Sequence, residues 1–236
     1  MMASPGFTFK QFHVAHDRCG MKVGTDAVLL GAWTPVDSAR RILDIGTGSG
    51  VIALMLAQRS HPDTHIDAIE IDANASLQAS ENILASPWPD KVLVHHVSLQ
   101  AYQSEPYDLI VSNPPYFGAG QSFSDPARAT ARHDGALSQH ELLQSAARLL
   151  APAGRLALVM PKEEGERCCA LAAQYGLHCL QIDRVRSTPS KEVNRLLMLF
   201  SRECVGVECN EICIHSAIGS YSERYIQLTS AFYLKM

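Results

Sequence analysis

The sequence predicts an α/β fold built on a mostly parallel, doubly wound sheet with helices on both faces. Three observations support this prediction. Short apolar runs alternate with helix-like segments from residue 40 onward, the first run ends in a glycine-rich turn, and the last two runs follow each other without a helix between them. Strands that alternate with helices indicate parallel pairing, because a parallel connection needs a long crossover.

The elements follow in order along the chain. Seven strands are predicted, over residues 41–45, 65–71, 91–97, 107–111, 154–160, 177–185 and 193–201. Helices are predicted over residues 51–59, 73–85, 138–150 and 162–175, and Ser138 suits the N-cap of the third of these. The final two strands, joined through Pro189, predict an antiparallel edge. Residues 1–39 are expected to form a separate extension, with an aromatic-rich hairpin and a helix over 25–33, that covers the functional site. Residues 40–236 are expected to form the catalytic domain.

Composition limits the class of protein. The chain has 236 residues, of which 47% are hydrophobic and 19% charged, which suits one large domain with a small appendage. No secretory signal and no membrane-spanning apolar run are visible, so a cytoplasmic protein is expected. A monomer is expected as well. The seven cysteines show no metal-binding spacing and are expected to be reduced thiols, with no metal bound. The net charge of −4 argues against indiscriminate binding to nucleic acid.

The glycine-rich turn carries the first functional signal. Asp44 ends the first strand of the predicted sheet, and Gly46, Gly48 and Gly50 follow it, with Thr47 between the first two. Glycines allow close approach of the backbone to a ligand, but this spacing is not that of a dinucleotide-binding turn. An acid beside the turn would repel a pyrophosphate and suits a cationic ligand such as S-adenosylmethionine.

Two further strand ends extend this predicted cofactor site. Glu70 ends the second strand, where its carboxylate can accept hydrogen bonds from ribose hydroxyls. Ser98 follows the third strand, at the position where class I methyltransferases often have an Asp or Asn that binds the cofactor adenine. A hydroxyl accepts such a bond more weakly, so Ser98 departs from that pattern.

The segment Asn113–Tyr116, with the sequence Asn-Pro-Pro-Tyr, follows the fourth strand and carries the second functional signal. A planar amino group is a poor nucleophile, since its lone pair is delocalised. The side-chain oxygen of Asn113 and the carbonyl of Pro114 can accept its two N–H bonds, and Pro115 restricts this backbone. Tyr116 offers a ring for stacking, and Asn113 is expected to border the cofactor as well. The segment therefore predicts methylation of a flat amino nitrogen.

These motifs, together with others along nearly the whole chain, resemble the bacterial tRNA1(Val) (adenine(37)-N6)-methyltransferase family. The resemblance includes the opening residues 7–12 and 15–19, residues 21–26 and 29–33, and the ending 231–234. It implies a class I methyltransferase fold, S-adenosylmethionine as the cofactor, and methylation of the adenine beside the anticodon of valine tRNA. The motifs within residues 7–33 and the ending 231–234 carry the resemblance to this family in particular.

Other functions remain open on the residues alone. A protein glutamine N5-methyltransferase also acts on a planar nitrogen, but forty residues leave little room for its helical N-terminal domain. A ribosomal RNA guanine-N2 enzyme and a DNA adenine enzyme share the same motif. A catalytically silent cofactor-binding module that interacts with RNA is the non-enzymatic alternative. Basic residues that could contact RNA are Lys22, Arg128, Arg132, Arg184, Arg186, Lys191 and Arg195.

Overall fold

The structure is a computed structural model that describes residues 5–115 and 137–235. Within these ranges it contains ten strands: β1 Gly6–Thr8, β2 His13–Ala15, β3 Arg41–Ile45, β4 His65–Glu70, β5 Val92–His96, β6 Tyr107–Ser112, β7 Leu150–Pro161, β8 His178–Arg186, β9 Arg195–Ser201 and β10 Glu208–Cys213. The helices are α1 Thr25–Trp33, α2 Val51–Arg59, α3 Ala73–Leu84, α4 Gln139–Leu149, α5 Lys162–Ala172 and α6 Glu223–Thr229. None of them is long and apolar enough to cross a membrane.

The central sheet is mostly parallel, as predicted, with the strand order β10-β8-β9-β7-β6-β3-β4-β5. The pairs from β7 through β6, β3 and β4 to β5 are parallel. The predicted antiparallel pair is confirmed, because β9 lies antiparallel to both β7 and β8. Because β9 runs opposite to both of its neighbours, β8 is parallel to β7. The carboxyl ends of β3, β4, β6, β7 and β8 therefore all lie at one edge of the sheet. This carboxyl edge of the sheet is the usual place for a ligand in such folds.

The sheet has eight strands rather than the seven predicted, because β10 adds parallel to β8 at the outer edge. Its sequence, Glu-Cys-Asn-Glu-Ile-Cys, does not resemble a buried strand, since only Ile212 of the six residues is buried. The pairing with β8 supplies the backbone hydrogen bonds that this weak local pattern did not indicate. The edge strand is therefore parallel to its neighbour, and the antiparallel β9 lies one position further in.

Helix boundaries follow local chemistry. The predicted N-cap of α4 is confirmed, since the Ser138 hydroxyl accepts a hydrogen bond from the Glu141 backbone N–H and the Glu141 carboxylate accepts one from the Ser138 backbone N–H, which forms a capping box. The predicted helix over 162–175 is present as α5 followed by a 3-10 turn, Ala173–Tyr175. Gly176 ends this turn in the left-handed region at φ 67°, which glycine adopts without strain.

The hydrophobic core lies on both faces of the sheet. One cluster joins α1 and α2 to the hairpin β1–β2 and to Phe232 near the C-terminus. The second lies on the other face and involves α4 and α5. In the first cluster Phe9 stacks on Phe12 with a centroid distance of 4.6 Å, and its ring also lies 6.2 Å from that of Tyr233. Residues near both ends of the described chain, Phe9 and Phe232, are therefore packed in the same cluster as α1 and α2.

Candidate active site

The loop between β3 and α2 has the backbone that its glycines predict. Gly46, Gly48 and Gly50 have φ of 70°, 55° and 82°, all in the left-handed region. A Cβ built on Gly46 or Gly48 would meet no atom within 4 Å, so the space beside them is open. The amides of Gly46 and Thr47 both donate to the carbonyl of Ile69, at 2.9 and 3.1 Å, which joins this loop to the end of β4.

Asp44 lies under this loop and is completely buried. Its Oδ2 accepts a hydrogen bond of 2.6 Å from Thr47 Oγ1, whereas its Oδ1 has no hydrogen-bond partner among the described residues. Burial raises the pKa of Asp44 to about 7, and the hydrogen bond from Thr47 and the backbone N–H of Ala53 oppose this shift only in part. Ala53 lies in the first turn of α2, where free backbone amides favour a nearby carboxylate. The Ala53 N–H does not form a hydrogen bond of normal geometry with Asp44. Asp44 is therefore a buried acid with an acceptor left over.

Glu70, at the end of β4, holds the loop from the other side. Its Oε2 accepts from the Gly48 amide at 2.8 Å and its Oε1 from the Asp72 amide at 3.0 Å. The two backbone contacts fix the position of the carboxylate, and each of its oxygens can still accept a further hydrogen bond. Asp72 in turn caps α3 by accepting from the Ala75 amide at 2.8 Å.

One cavity of about 400 Å³ lies beside this loop at the carboxyl edge of the sheet, and Asp44, buried beneath the loop, is not among its lining residues. Most of its lining is apolar, and Gly46, Gly48 and Glu70 line it from the glycine loop, residues 46–50, and from the end of β4. Asn113 and Pro115 line it from the end of β6. Buried Ser112 sets the start of this last segment, because its hydroxyl donates to the Ile45 carbonyl at 2.9 Å across the β3–β6 pair. The two motifs predicted from sequence therefore open into the same space.

Two parts of the cavity wall are formed by residues that were not among the predicted site residues, although the N-terminal extension was expected to cover the site. Cys19, Gly20 and Met21 of the N-terminal extension line it, and so does Gln100, whose side chain donates to Glu141 Oε1 at 3.0 Å. Gln100 stands two residues beyond the expected Ser98. Ser98 is not among the lining residues, and its hydroxyl instead faces the Ala101 amide at 3.4 Å. The sequence signal for Gln100 was only its proximity to a strand end.

The other predicted site residues are distributed as follows. Thr47 and Gly50 belong to the glycine loop but do not line the cavity, and Pro114 is buried behind its neighbours. Lys22 is exposed beside the lining residue Met21. The expected contacts of Tyr116, Arg128 and Arg132 lie outside the described residues.

The basic residues of β8 and β9 lie toward the same carboxyl edge. Arg184 and Lys191 are exposed. Two others are paired with carboxylates: Arg186 donates to Glu211 at 2.8 Å, and Arg195 donates through Nε to Asp26 at 2.8 Å. The second pair joins β9 to the first turn of α1. These two arginines are therefore partly neutralised, which the local count of basic residues did not indicate.

The fold and the cavity together define a class I methyltransferase. Residues 19–178 match the family model described as "Methyltransferase small domain". A relative from Aeromonas hydrophila subsp. hydrophila, named tRNA1(Val) (adenine(37)-N6)-methyltransferase, is 59% identical over 236 residues and is covered completely, as is this chain. A relative of the same name from Aeromonas salmonicida is 57% identical over the whole of both chains.

Among solved structures, a methyltransferase from Pyrococcus furiosus has the same fold with a TM-score of 0.62 at 18% identity, over 82% of this chain and 90% of that one. The chain belongs to the family of tRNA1(Val) (adenine(37)-N6)-methyltransferases.

Proposed function

We propose that this chain transfers the methyl group of S-adenosylmethionine to the N6 amino nitrogen of adenine 37 in valine tRNA. The observation that carries the proposal is that Asn113 and Pro115 line the same cavity as Gly46, Gly48 and Glu70. A group bound along the glycine loop and a group held at the end of β6 would then meet in one space. Methyl transfer needs this proximity, because it depends on an in-line approach of nitrogen to the methyl carbon. The names of the full-length relatives support the choice of tRNA.

The residues around the cavity suit S-adenosylmethionine. When bound, this cofactor supplies a methyl group activated by a sulfonium. The carboxyl of Asp44 lies beneath the glycine loop, and its Oδ1 has no hydrogen-bond partner among the described residues, which favours a ligand that carries positive charge and N–H donors. Glu70 keeps acceptor capacity for ribose hydroxyls, and the open space beside Gly46 and Gly48 allows the ligand to approach the backbone. Apolar side chains of Ile71 and Leu99 suit the faces of a purine.

Asn113 and its neighbours act on the acceptor. The Asn113 side-chain oxygen and the Pro114 carbonyl each accept one N–H of the target amino group, which shifts its lone pair toward the methyl donor. Tyr116 stacks on the flipped base and offsets part of the cost of unstacking. No separate base is needed before attack, because the nitrogen becomes acidic only after it is methylated.

The tRNA surface extends from the cavity along the carboxyl edge of the sheet. Exposed Lys191 and Arg184 supply charge there, and Arg186, Arg195 and Lys22 lie on the same side. Arg128 and Arg132, which follow Asn113–Tyr116 in sequence, complete this set of phosphate contacts. The proposal includes a monomer that acts in the cytoplasm.

The test is transfer of radiolabelled methyl from the cofactor to total tRNA, total rRNA and a protein extract in parallel, followed by nucleoside analysis. We expect label in N6-methyladenosine of tRNA and none elsewhere. Asn113→Ala is expected to abolish transfer while the dissociation constant of the cofactor changes by less than about threefold, because Asn113 acts on the acceptor. Label on protein glutamine or on rRNA guanine, or unchanged turnover of Asn113→Ala, would overturn the proposal.

A further inference from the structure

One face of α3 holds the N-terminal segment 15–23, three residues of which line the cofactor cavity. Gln78, Glu81 and Asn82 stand at positions i, i+3 and i+4 and so share this face. Gln78 and Asn82 are polar but almost completely buried, with exposed fractions of 1% and 5%. Buried amides are costly unless their hydrogen bonds are satisfied, so the partners of these two side chains indicate what they do.

Asn82 bonds to the backbone of two segments that contribute other residues to the cavity wall. Its Oδ1 accepts from the Ala15 amide at 3.0 Å, and its Nδ2 donates to the Ala15 carbonyl at 2.8 Å. The second N–H of the same Nδ2 donates to the Ser49 carbonyl in the glycine loop, also at 2.8 Å. A single buried side chain thus joins the N-terminal segment to the loop that faces the cofactor.

Gln78 fixes the next residues of the segment. Its Oε1 accepts from the Arg18 amide at 3.0 Å and from the Cys19 thiol at 3.1 Å, while its Nε2 donates to Asp17 at 2.7 Å. Arg18 also forms an ion pair with Glu81. Further along, His16 Nδ1 accepts from the Val23 amide at 3.1 Å and closes the segment into a loop. Cys19, which Gln78 holds, and the two residues after it, Gly20 and Met21, are the part of this segment that lines the cavity.

The glycine loop rests on the same helix. A Cβ built on Gly50 would lie 3.4 Å from the Cβ of Ala79, one turn away from Asn82 on α3. Two walls of the cavity, distant in sequence, are therefore anchored to a single helix. Asn82 bonds to both segments, so the distance between these two walls depends on this one side chain.

We propose that Asn82 is a positioning residue for the cofactor, which sets the spacing between the glycine loop and the N-terminal segment. This inference rests on the proposed function, because it requires that the cavity binds S-adenosylmethionine. Loss of the Asn82 amide would release both walls and weaken cofactor binding, while the groups at Asn113 that act on the acceptor would be unaffected. The expected signature is a change in affinity with little change in turnover at saturation.

The test compares Asn82→Ala with Ser80→Ala in the full-length protein. Ser80 is a matched control, because among the described residues its hydroxyl bonds only to the Ser76 carbonyl of its own helix, at 2.9 Å. For Asn82→Ala we expect KM and Kd for S-adenosylmethionine to rise about tenfold or more, since several hydrogen bonds are lost, with kcat at saturation within about threefold of the native value. Ser80→Ala should leave all three unchanged.

A second measurement follows the segment without the cofactor. Burial raises the pKa of the Cys19 thiol to about 11, so alkylation of Cys19 in the native protein should be slow. Its rate, followed by peptide mass mapping with iodoacetamide, should rise in Asn82→Ala. If Asn82→Ala fails to fold, Gln78→Leu should show the same rise, because it removes the bonds to Arg18 and Cys19 but leaves Ser49 held.

Three outcomes would overturn the proposal: unchanged cofactor affinity in Asn82→Ala, a loss of kcat equal to the loss of affinity, or unchanged Cys19 alkylation. A native protein that binds no cofactor would instead refute the proposed function, and the alkylation result would still report on the contact of Asn82 with the segment.

Discussion

At the scale of single residues, the most unusual group is the carboxyl of Asp44. It is completely buried, its pKa is raised to about 7 by burial, and one of its oxygens has no partner among the described residues. Such a group costs folding free energy whenever it is ionised. A residue that is unfavourable for the fold and lies beneath a cavity is typical of a binding site.

The raised pKa of Asp44 predicts a pH dependence of stability. Between pH 3.8, the ordinary pKa, and about 7, the unfolded chain loses the proton while the folded chain keeps it, so stability falls as pH rises through this window. Asp44→Asn removes the ionisation. We expect the variant to gain stability relative to the native protein between pH 4.5 and pH 8, by on the order of 3 kcal/mol. Thermal unfolding at both pH values measures this difference, and a constant difference would contradict the assigned pKa.

Ser98 and Gln100 offer a second test at this scale. Gln100 lines the cavity, whereas Ser98 faces the Ala101 amide. We expect Gln100→Ala to weaken S-adenosylmethionine binding about five- to tenfold, which corresponds to one hydrogen bond. Ser98→Ala is the matched control and should change the dissociation constant less than twofold. Calorimetric titration distinguishes the two, and a larger effect of Ser98→Ala than of Gln100→Ala would instead support the adenine contact predicted for Ser98.

At the scale of elements, the close packing of α1 on α2 depends on one glycine. A Cβ built on Gly31 would lie 2.9 Å from both the Cβ and the sulfur of Met55. Helix α1 also joins β9 through the Asp26–Arg195 ion pair, so its position affects the carboxyl edge of the sheet. The two helices contribute to the same hydrophobic cluster.

Gly31→Ala is expected to destabilise the protein. The added methyl group must push α1 away from the Cβ of Met55, which cannot rotate aside, and overpacking of this kind costs about 1 to 3 kcal/mol. Gly206→Ala is the control, since a Cβ there would meet no atom within 4 Å. Chemical denaturation of both variants gives the free energies of unfolding. Equal stability of Gly31→Ala and the native protein would show that the helices can move apart at no cost.

At the scale of the whole molecule, charge is distributed unevenly although its sum is −4. Exposed Arg184 and Lys191 lie at the carboxyl edge of the sheet, while two of their neighbours, Arg186 and Arg195, are paired with acids. A phosphate backbone would therefore contact a few free charges rather than a broad basic surface. Binding should depend on salt, with a shallow slope.

We expect tRNA binding to be weak and to weaken further as salt rises. Lys191→Ala removes one exposed charge from the turn after β8, and it should reduce the slope of log K against log salt by about one. Arg40→Ala is the control, because Arg40 precedes β3 at the opposite edge of the sheet. Filter binding across a salt series measures both. Salt-insensitive binding, or an equal change in Arg40→Ala, would exclude the carboxyl edge as the tRNA surface.

The sequence by itself determined the parallel sheet and the side chains at its strand ends. Asp44 and Glu70 lie at the ends of apolar runs whose period and length indicate strands, Asn113 follows such a run, and parallel strands bring these ends to one edge. Only the tertiary structure decided that Cys19–Met21 and Gln100 line the cavity, that Arg186 and Arg195 are paired, and that β10 is the outer strand. The reason is range: turn and strand signals lie within a few residues, whereas Asn82 and Ala15 are 67 positions apart and their contact leaves no local pattern.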